Sequence, residues 1–206
     1  MRFDHIAIAA ADLQSGVDHV EAALGVPLLP GGTHPRYGTH NRVLGLGEGL
    51  YLEVIAIDPE APPPEEPRWF DLDRFTGPPR LANWICSVPD LDRAVAEAPV
   101  DCGSPRDLAR GDLTWRIAVP DDGSLPIGGA FPTLIEWGDG VTSPADSLPD
   151  SGVRLTGWEV HLQQPRRLAV SLPLADPRVT FHKDRAAVTP HFVARFDTPN
   201  GPVVLR

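Results

Sequence analysis

Cysteine is almost absent from this chain. Two residues of 206, Cys86 and Cys102, cannot build a disulfide framework, and they fit a reducing compartment. Cytoplasmic residence is therefore the expectation. Cys86 lies in a strand-like run and reads as a small buried hydrophobe. Positive charge is also scarce: 18 basic residues face 28 acidic ones, a net charge of -10, and Lys183 is the single lysine. That balance argues against a nucleic-acid surface and against docking on an anionic membrane. No apolar run approaches the ~18 residues that a membrane helix needs. The opening MRFDHIAIAAADL reaches an acid at Asp4 and lacks a leader's long apolar stretch and cleavage site, so it reads as mature protein. No nucleophile elbow, phosphate loop or CxxC motif occurs. What is plentiful is hydrophobic residues, 42% of the chain, enough for a substantial core.

Prolines punctuate the chain. PEAPPPEEP, residues 59–67, forms neither a helix nor a central strand, and GDGVTSPADSLPDSG, residues 138–152, is a second loose stretch. Between these breaks a unit repeats. Phe3-Asp4-His5-Ile6-Ala7-Ile8-Ala9 alternates as a strand; Asp12 is a helix cap, and Leu13, Val17, Val20 and Leu24 follow at helical spacing up to Gly25. The second unit opens on Leu81–Ser87, with Asp90 as cap and Leu91, Ala94, Val95 and Ala98 behind it. The third opens on Leu155–Leu162, with a short helix near 166–172. Three strand-like runs close each unit: near 27–29, 40–46 and 50–57; near 100–102, 113–119 and 133–137; and near 179–182, 192–196 and 203–205, the last pair joined by the hairpin signal Asn200-Gly201. The expected fold class is α+β, with βαβββ modules over 1–58 and 80–140, a Pro-rich connector over 59–79, and a degenerate third module over 152–206.

Superposing the first two units at Asp12 and Asp90 puts His5 opposite Asn83, because each lies seven residues before its cap. Matching Leu52-Glu53-Val54 to Ile135-Glu136-Trp137 pairs Glu53 with Glu136. Strand side chains alternate faces. With Ile6, Ile8, Leu52 and Val54 turned toward the helix, His5 and Glu53 turn to the open face, and the same parity is expected to send Asn83 and Glu136 there. Two carboxylates in a partly dry cup repel unless a cation or proton lies between them. A divalent metal on one imidazole and two carboxylates is the natural cation.

The wording FDHIAIAAADL, GGTHPRYGTHNRVLGLGEGLYLEVIAIDP and FPTLIEWG resembles the glyoxalase-like domain group of the vicinal oxygen chelate superfamily, which also includes glyoxalase I, extradiol dioxygenases and bleomycin-resistance proteins. The resemblance covers most of residues 3–140. It implies a cupped site between two modules, with His5, Glu53 and Glu136 at ligand positions for a divalent ion such as zinc, nickel, manganese or iron. Asn83 departs from the pattern, standing where a stronger ligand is expected; a neutral amide binds transition metals weakly, and an extradiol site needs two histidines.

The expected activity is a metal-assisted lyase or isomerase reaction on a small oxygenated molecule, with Glu53 or Glu136 moving the proton. The alternative is a metal-free protein that binds or sequesters a small ligand. Asn83, His34, His40 and Trp115 are candidate substrate contacts: His34 precedes Pro35 at a rim loop, His40 begins a strand, and Trp115 can line the cavity with Arg116 facing away. Trp84 and Trp137 read as core on the helix side. His19 reads as solvated, and His161, His182 and His191 have no spacing that suggests a site. The partner expected is a small molecule, with a homodimer as a further possibility.

Overall fold

A computed structural model describes residues 1–206. The first unit runs β1 (Arg2–Ala9), α1 (Leu13–Leu24), β2 (Leu29–His34), β3 (Thr39–Gly47) and β4 (Leu50–Ile57). The second runs β5 (Arg80–Ser87), α2 (Leu91–Ala96), β6 (Ser104–Arg110), β7 (Leu113–Val119) and β8 (Thr133–Trp137). A short α3 (Pro144–Ser147) precedes the third: β9 (Arg154–Leu162), α4 (Pro165–Ser171), β10 (Val179–Lys183), β11 (His191–Thr198) and β12 (Gly201–Leu205). The class is α+β, with few helices and two sheets.

Local chemistry explains the helix ends. Asp12 Oδ1 accepts the Ser15 N–H, and Asp90 Oδ1 accepts the Arg93 N–H, each satisfying a donor that a helix start leaves free. Gly25 closes α1 in the left-handed region at φ 71°, where a side chain would be strained. Two edge strands differ from expectation. β2 extends through Pro30, Gly31 and Gly32, and β6 starts beyond Gly103. A strand containing proline and paired glycines has little intrinsic preference and survives at an edge, held by a single neighbour.

The first two units form one eight-stranded sheet in the order β2-β3-β4-β1-β5-β8-β7-β6. Within each unit the first strand pairs parallel with the last, and β1 meets β5 antiparallel at the centre, so two similar halves lie side by side. The third unit has the same element order but a different sheet order, β10-β9-β11-β12, in which β9 pairs with β10 and β11 instead of the last strand.

One face of the large sheet carries Ile6, Ile8, Leu52, Val54, Trp84, Cys86 and Leu134, in one apolar core with Val20 and Leu24 of α1, Leu91 of α2, and Trp158, Val160, Phe192 and Phe196 of the small sheet. The opposite face is concave. Its apolar residues, among them Ala7, Ile55, Ile85, Ile117 and Ile135, are covered by Trp69, Phe70 and Leu72 from the connector. The connector is thus of two kinds: residues 59–67 are exposed or half-buried, whereas Trp69, Phe70 and Leu72 are buried. Phe70 and Asp71 both have positive φ, 59° and 58°, a strain that persists where packing over-determines the backbone.

Candidate functional site

The cup is built around a chain of polar groups on β1, β4 and β3. A bulge in the β1–β5 pairing between Phe3 and His5 lets two successive side chains, Asp4 and His5, cooperate. His5 Nδ1 donates to Asp4 Oδ1 at 2.7 Å, and Asp4 Oδ2 accepts from Trp137 Nε1 at 3.0 Å. Burial pushes the Asp4 carboxyl up, but the His5 hydrogen bond and charge, with help from Trp137 and Arg2, bring it below its ordinary value. With Nδ1 engaged, His5 Nε2 points at Glu53 Oε1 from 3.7 Å, beyond hydrogen-bonding reach. Glu53 Oε2 accepts from Asn41 Nδ2 at 2.9 Å, and Asn41 Oδ1 accepts from the Gly32 N–H at 2.8 Å. Tyr51 stacks on the His5 ring with centroids 4.2 Å apart. Burial, reinforced by the Asp4 and Glu53 carboxylates, holds the Tyr51 phenol well above its usual pKa, so it stays protonated.

These residues open on a cavity of about 40 Å³ lined also by His34, Trp69, Phe70, Arg110, Trp115 and Trp137. On a scale of roughly 10–15 Å³ per water, that is room for on the order of three waters. His34 is 5% exposed. Its Nδ1 donates to Thr39 Oγ1 at 3.1 Å, Trp69 Nε1 donates to the same hydroxyl at 3.2 Å, and Arg110 Nη1 lies 3.4 Å from His34 Nε2. Burial first, then the Arg110 and His40 charges, pull the His34 pKa down to about 3, so this imidazole is neutral at pH 7. Larger grooves exist at the surface, of about 390 and 320 Å³, but neither contains His5 or Glu53.

The structure brings together His5, Glu53, His34 and Trp115 of the residues expected from sequence. It does not bring Glu136. That side chain lies on the helix side of β8, where Oε2 accepts the Leu91 N–H at 3.0 Å and sits 3.4 Å from Arg116 Nη1. The register explains why. Glu53 lies opposite Ala7 and Thr133 opposite Ile85, and Ala7 and Ile85 both lie five residues before their caps. The repeat partner of Glu53 is therefore Thr133. The offset of three residues is odd, and an odd slip turns every side chain to the other face. Trp137 accordingly faces the cup, not the core beneath the helix. Asn83 is fully buried but stays out of the cavity: its amide donates to Thr133 Oγ1 at 2.8 Å, and its Oδ1 accepts the Trp84 N–H. The His5–Glu53 couple of the first half thus has a self-satisfied Asn83–Thr133 couple as its counterpart. His40 alternates away from Asn41 into a surface groove with Asp12 and Arg42, its Nδ1 3.9 Å from Asp58.

Asp4, Asn41, Tyr51, Arg110 and the connector residues Trp69 and Phe70 were not singled out by sequence. Alternation along β3 and β4 would have placed Asn41 and Tyr51 beside Glu53. The others depend on a bulge, a hairpin tip and a long connection that no local pattern announces.

The donor set does not fit a tightly held divalent transition ion. Catalytic zinc takes three protein ligands. The cup offers His5 and Glu53, its further imidazole His34 is taken up by Thr39 and Arg110, the expected third ligand Glu136 is on the other side of the sheet, the counterpart pair is Asn83 and Thr133, and no three His, Cys, Asp or Glu side chains converge.

A family model described as "Glyoxalase-like domain" matches residues 3–174. Among solved structures, a hypothetical protein from Staphylococcus aureus is 12% identical with a TM-score of 0.57, over 98% of this chain and 83% of that one. Methylmalonyl-CoA epimerase from Mycobacterium tuberculosis is 20% identical with a TM-score of 0.44, over 66% of this chain and 85% of that one. A Streptomyces coelicolor methylmalonyl-CoA epimerase variant in complex with 2-nitronate-propionyl-CoA is 17% identical with a TM-score of 0.45, over 68% and 99%. Of these, the first alone, with a TM-score above 0.5, bears on the fold, and at 12% identity on nothing beyond it. No curated protein matches the chain. No helix is long and apolar enough to cross a membrane.

Proposed function

The chain belongs to the glyoxalase-like domain family, and from that premise we propose that the cup is an isomerase- or lyase-type active site that moves a proton next to a carbonyl of a small, oxygenated, anionic molecule. The observation that carries this reading is the Asp4–His5–Glu53 chain at the base of an aromatic cavity with Arg110 in its wall. Glu53 Oε1 accepts no protein hydrogen bond, while Asn41 fixes the other oxygen, so one carboxylate oxygen is oriented and free to act as a base. Asp4 accepts the Nδ1–H of His5 and so fixes the ring with Nε2 facing Glu53 and the reacting atoms, while the Arg110 guanidinium in the wall stabilises the oxygen on which enolate charge develops. Glu53 returns the proton. The Arg110 guanidinium supplies the charge that draws an anion, and the aromatic walls exclude water. The small cavity limits the ligand to a compact molecule, or requires Trp69 and Phe70 to move for a longer one.

The test is solvent deuterium uptake into a panel of short 2-oxo and 2-hydroxy acids and aldehydes, read by mass spectrometry. The wild type is expected to wash in deuterium, with a loss of roughly 100-fold or more in Glu53→Gln, the usual worth of a positioned base. Equal exchange by Glu53→Gln and wild type would sink the assignment. Binding without exchange would favour sequestration, the second reading, which the self-satisfied Asn83–Thr133 pair supports.

A further inference from the structure

The small sheet carries a second set of histidines unrelated to the cup. Its inner face, with Trp158, Val160, Phe192 and Phe196, is core. On the outer face, His182 of β10 and His191 of β11 both lie directly opposite His161 of the central strand β9. Residues separated by 21 and 9 positions in sequence therefore form one row across three strands. The rings stack on either side of His161, each with centroids 4.8 Å apart and planes within 17° and 15° of parallel.

Packing does not account for this row. His182 is exposed, and the His191 side chain is 51% exposed. In each ring the same nitrogen faces a polar neighbour. His161 Nε2 is 3.0 Å from Glu159 Oε2, His182 Nε2 is 2.9 Å from Thr180 Oγ1, and His191 Nε2 is 3.8 Å from Asp184 Oδ2. Nδ1 of all three forms no hydrogen bond. Glu159 is itself fixed by Arg195, whose Nε donates to Oε1 at 2.7 Å. For His161, the central member, a hydrogen-bonded carboxylate behind the imidazole is the arrangement that orients a metal-binding histidine.

We infer that His161, His182 and His191 form a surface site for one borderline divalent ion of the zinc type, held over β9 by the three imidazoles, with Glu159 behind the central one. Imidazole suits zinc, nickel and copper, and three histidines with an open position is an established zinc donor set. As the rings now stack, their donors do not converge on one point. Capture requires rotation about the side-chain torsions of His182 and His191, the two exposed members. The cup differs in that its third imidazole, His34, is buried and has both ring nitrogens engaged, by Thr39 and Arg110. An ion here would clamp β10, β9 and β11 together, giving it a structural role in the smaller sheet.

The experiment is zinc titration of the untagged full chain by calorimetry, with metal content by mass spectrometry and thermal unfolding with and without zinc. The wild type is expected to bind one ion per chain and to melt at a higher temperature when loaded. His161→Gln is expected to weaken binding about tenfold or more, as is the double variant His182→Gln/His191→Gln, whose positions are exposed enough to leave the fold intact. His5→Gln/Glu53→Gln is expected to bind zinc as the wild type does. Cobalt loading with a visible spectrum of nitrogen ligation, lost in His161→Gln, is the second readout. The inference fails if the wild type takes up no zinc, if His161→Gln binds as tightly as the wild type, or if the cup variant is the one that loses the ion.

Discussion

His34 shows how one buried side chain couples the cup to pH. Its pKa of about 3, against an ordinary 6.5, means that the unfolded chain takes up a proton that the folded chain refuses. Between those two values the unfolded state binds more protons, so stability rises with pH and is lost as pH falls through the window. At about 1.4 kcal/mol per pH unit, acidification from 6.5 to about pH 4 removes about 3 kcal/mol. Asp4 acts lower. Its folded pKa lies below 3.8, so its contribution is present above that value and disappears only as pH falls through the folded pKa. His34→Asn is expected to flatten the stability curve between pH 6.5 and about 4 while keeping the steeper loss below it. Urea unfolding across that range measures this, and the His34 imidazole resonances of the wild type should not titrate above about pH 4. A His34 that protonates near 6.5 would remove the argument.

At the scale of elements, β8 carries a carboxylate that serves the fold, Glu136, in contrast to the base proposed for Glu53 on β4. Glu136 caps the start of α2 by accepting the Leu91 N–H and touches Arg116, which also holds Asp92. Glu136→Ala is expected to cost about 1 kcal/mol, the usual worth of a lost cap, and to leave deuterium exchange unchanged. An exchange defect comparable to that of Glu53→Gln would restore Glu136 to the cup. The same strand marks where sequence stops being informative. Asp12 and Asp90 announce themselves chemically and fix His5 against Asn83, so the first strands and helices were legible, as was the turning of His5 and Glu53 to the open face. The last strands have no such pin. The identity of two glutamates suggested one register, while pairing with β5 chooses another three residues away, and hydrogen-bond register is a tertiary property. The histidine row has the same cause. His161, His182 and His191 have no mutual spacing, and only the pairing of β9 with both β10 and β11 aligns them.

Across the whole molecule, the three units share one core. Trp158 of the small sheet is fully buried, stacks on Phe192 at 5.0 Å, and lies 6.4 Å from both Phe3 and Trp84 of the large sheet. Those two residues sit on β1 and β5, the central strands that also carry His5 and Asn83 on their other face. The small sheet therefore covers the underside of the strands that form the cup's floor. Each removed aromatic of this kind costs about 3–5 kcal/mol, comparable with the whole stability of a domain. A chain ending after residue 151 is expected not to fold: it would expose Phe3 and Trp84 and lose the fixed geometry of the cup. The intact chain is expected to unfold in one transition, with tryptophan fluorescence, far-ultraviolet circular dichroism and calorimetry giving coincident midpoints. Two separated transitions, or a folded truncated chain that still exchanges deuterium, would mean that the small sheet is an independent appendage. One transition would mean that an ion bound on the histidine row stabilises the cup along with the sheet that holds it.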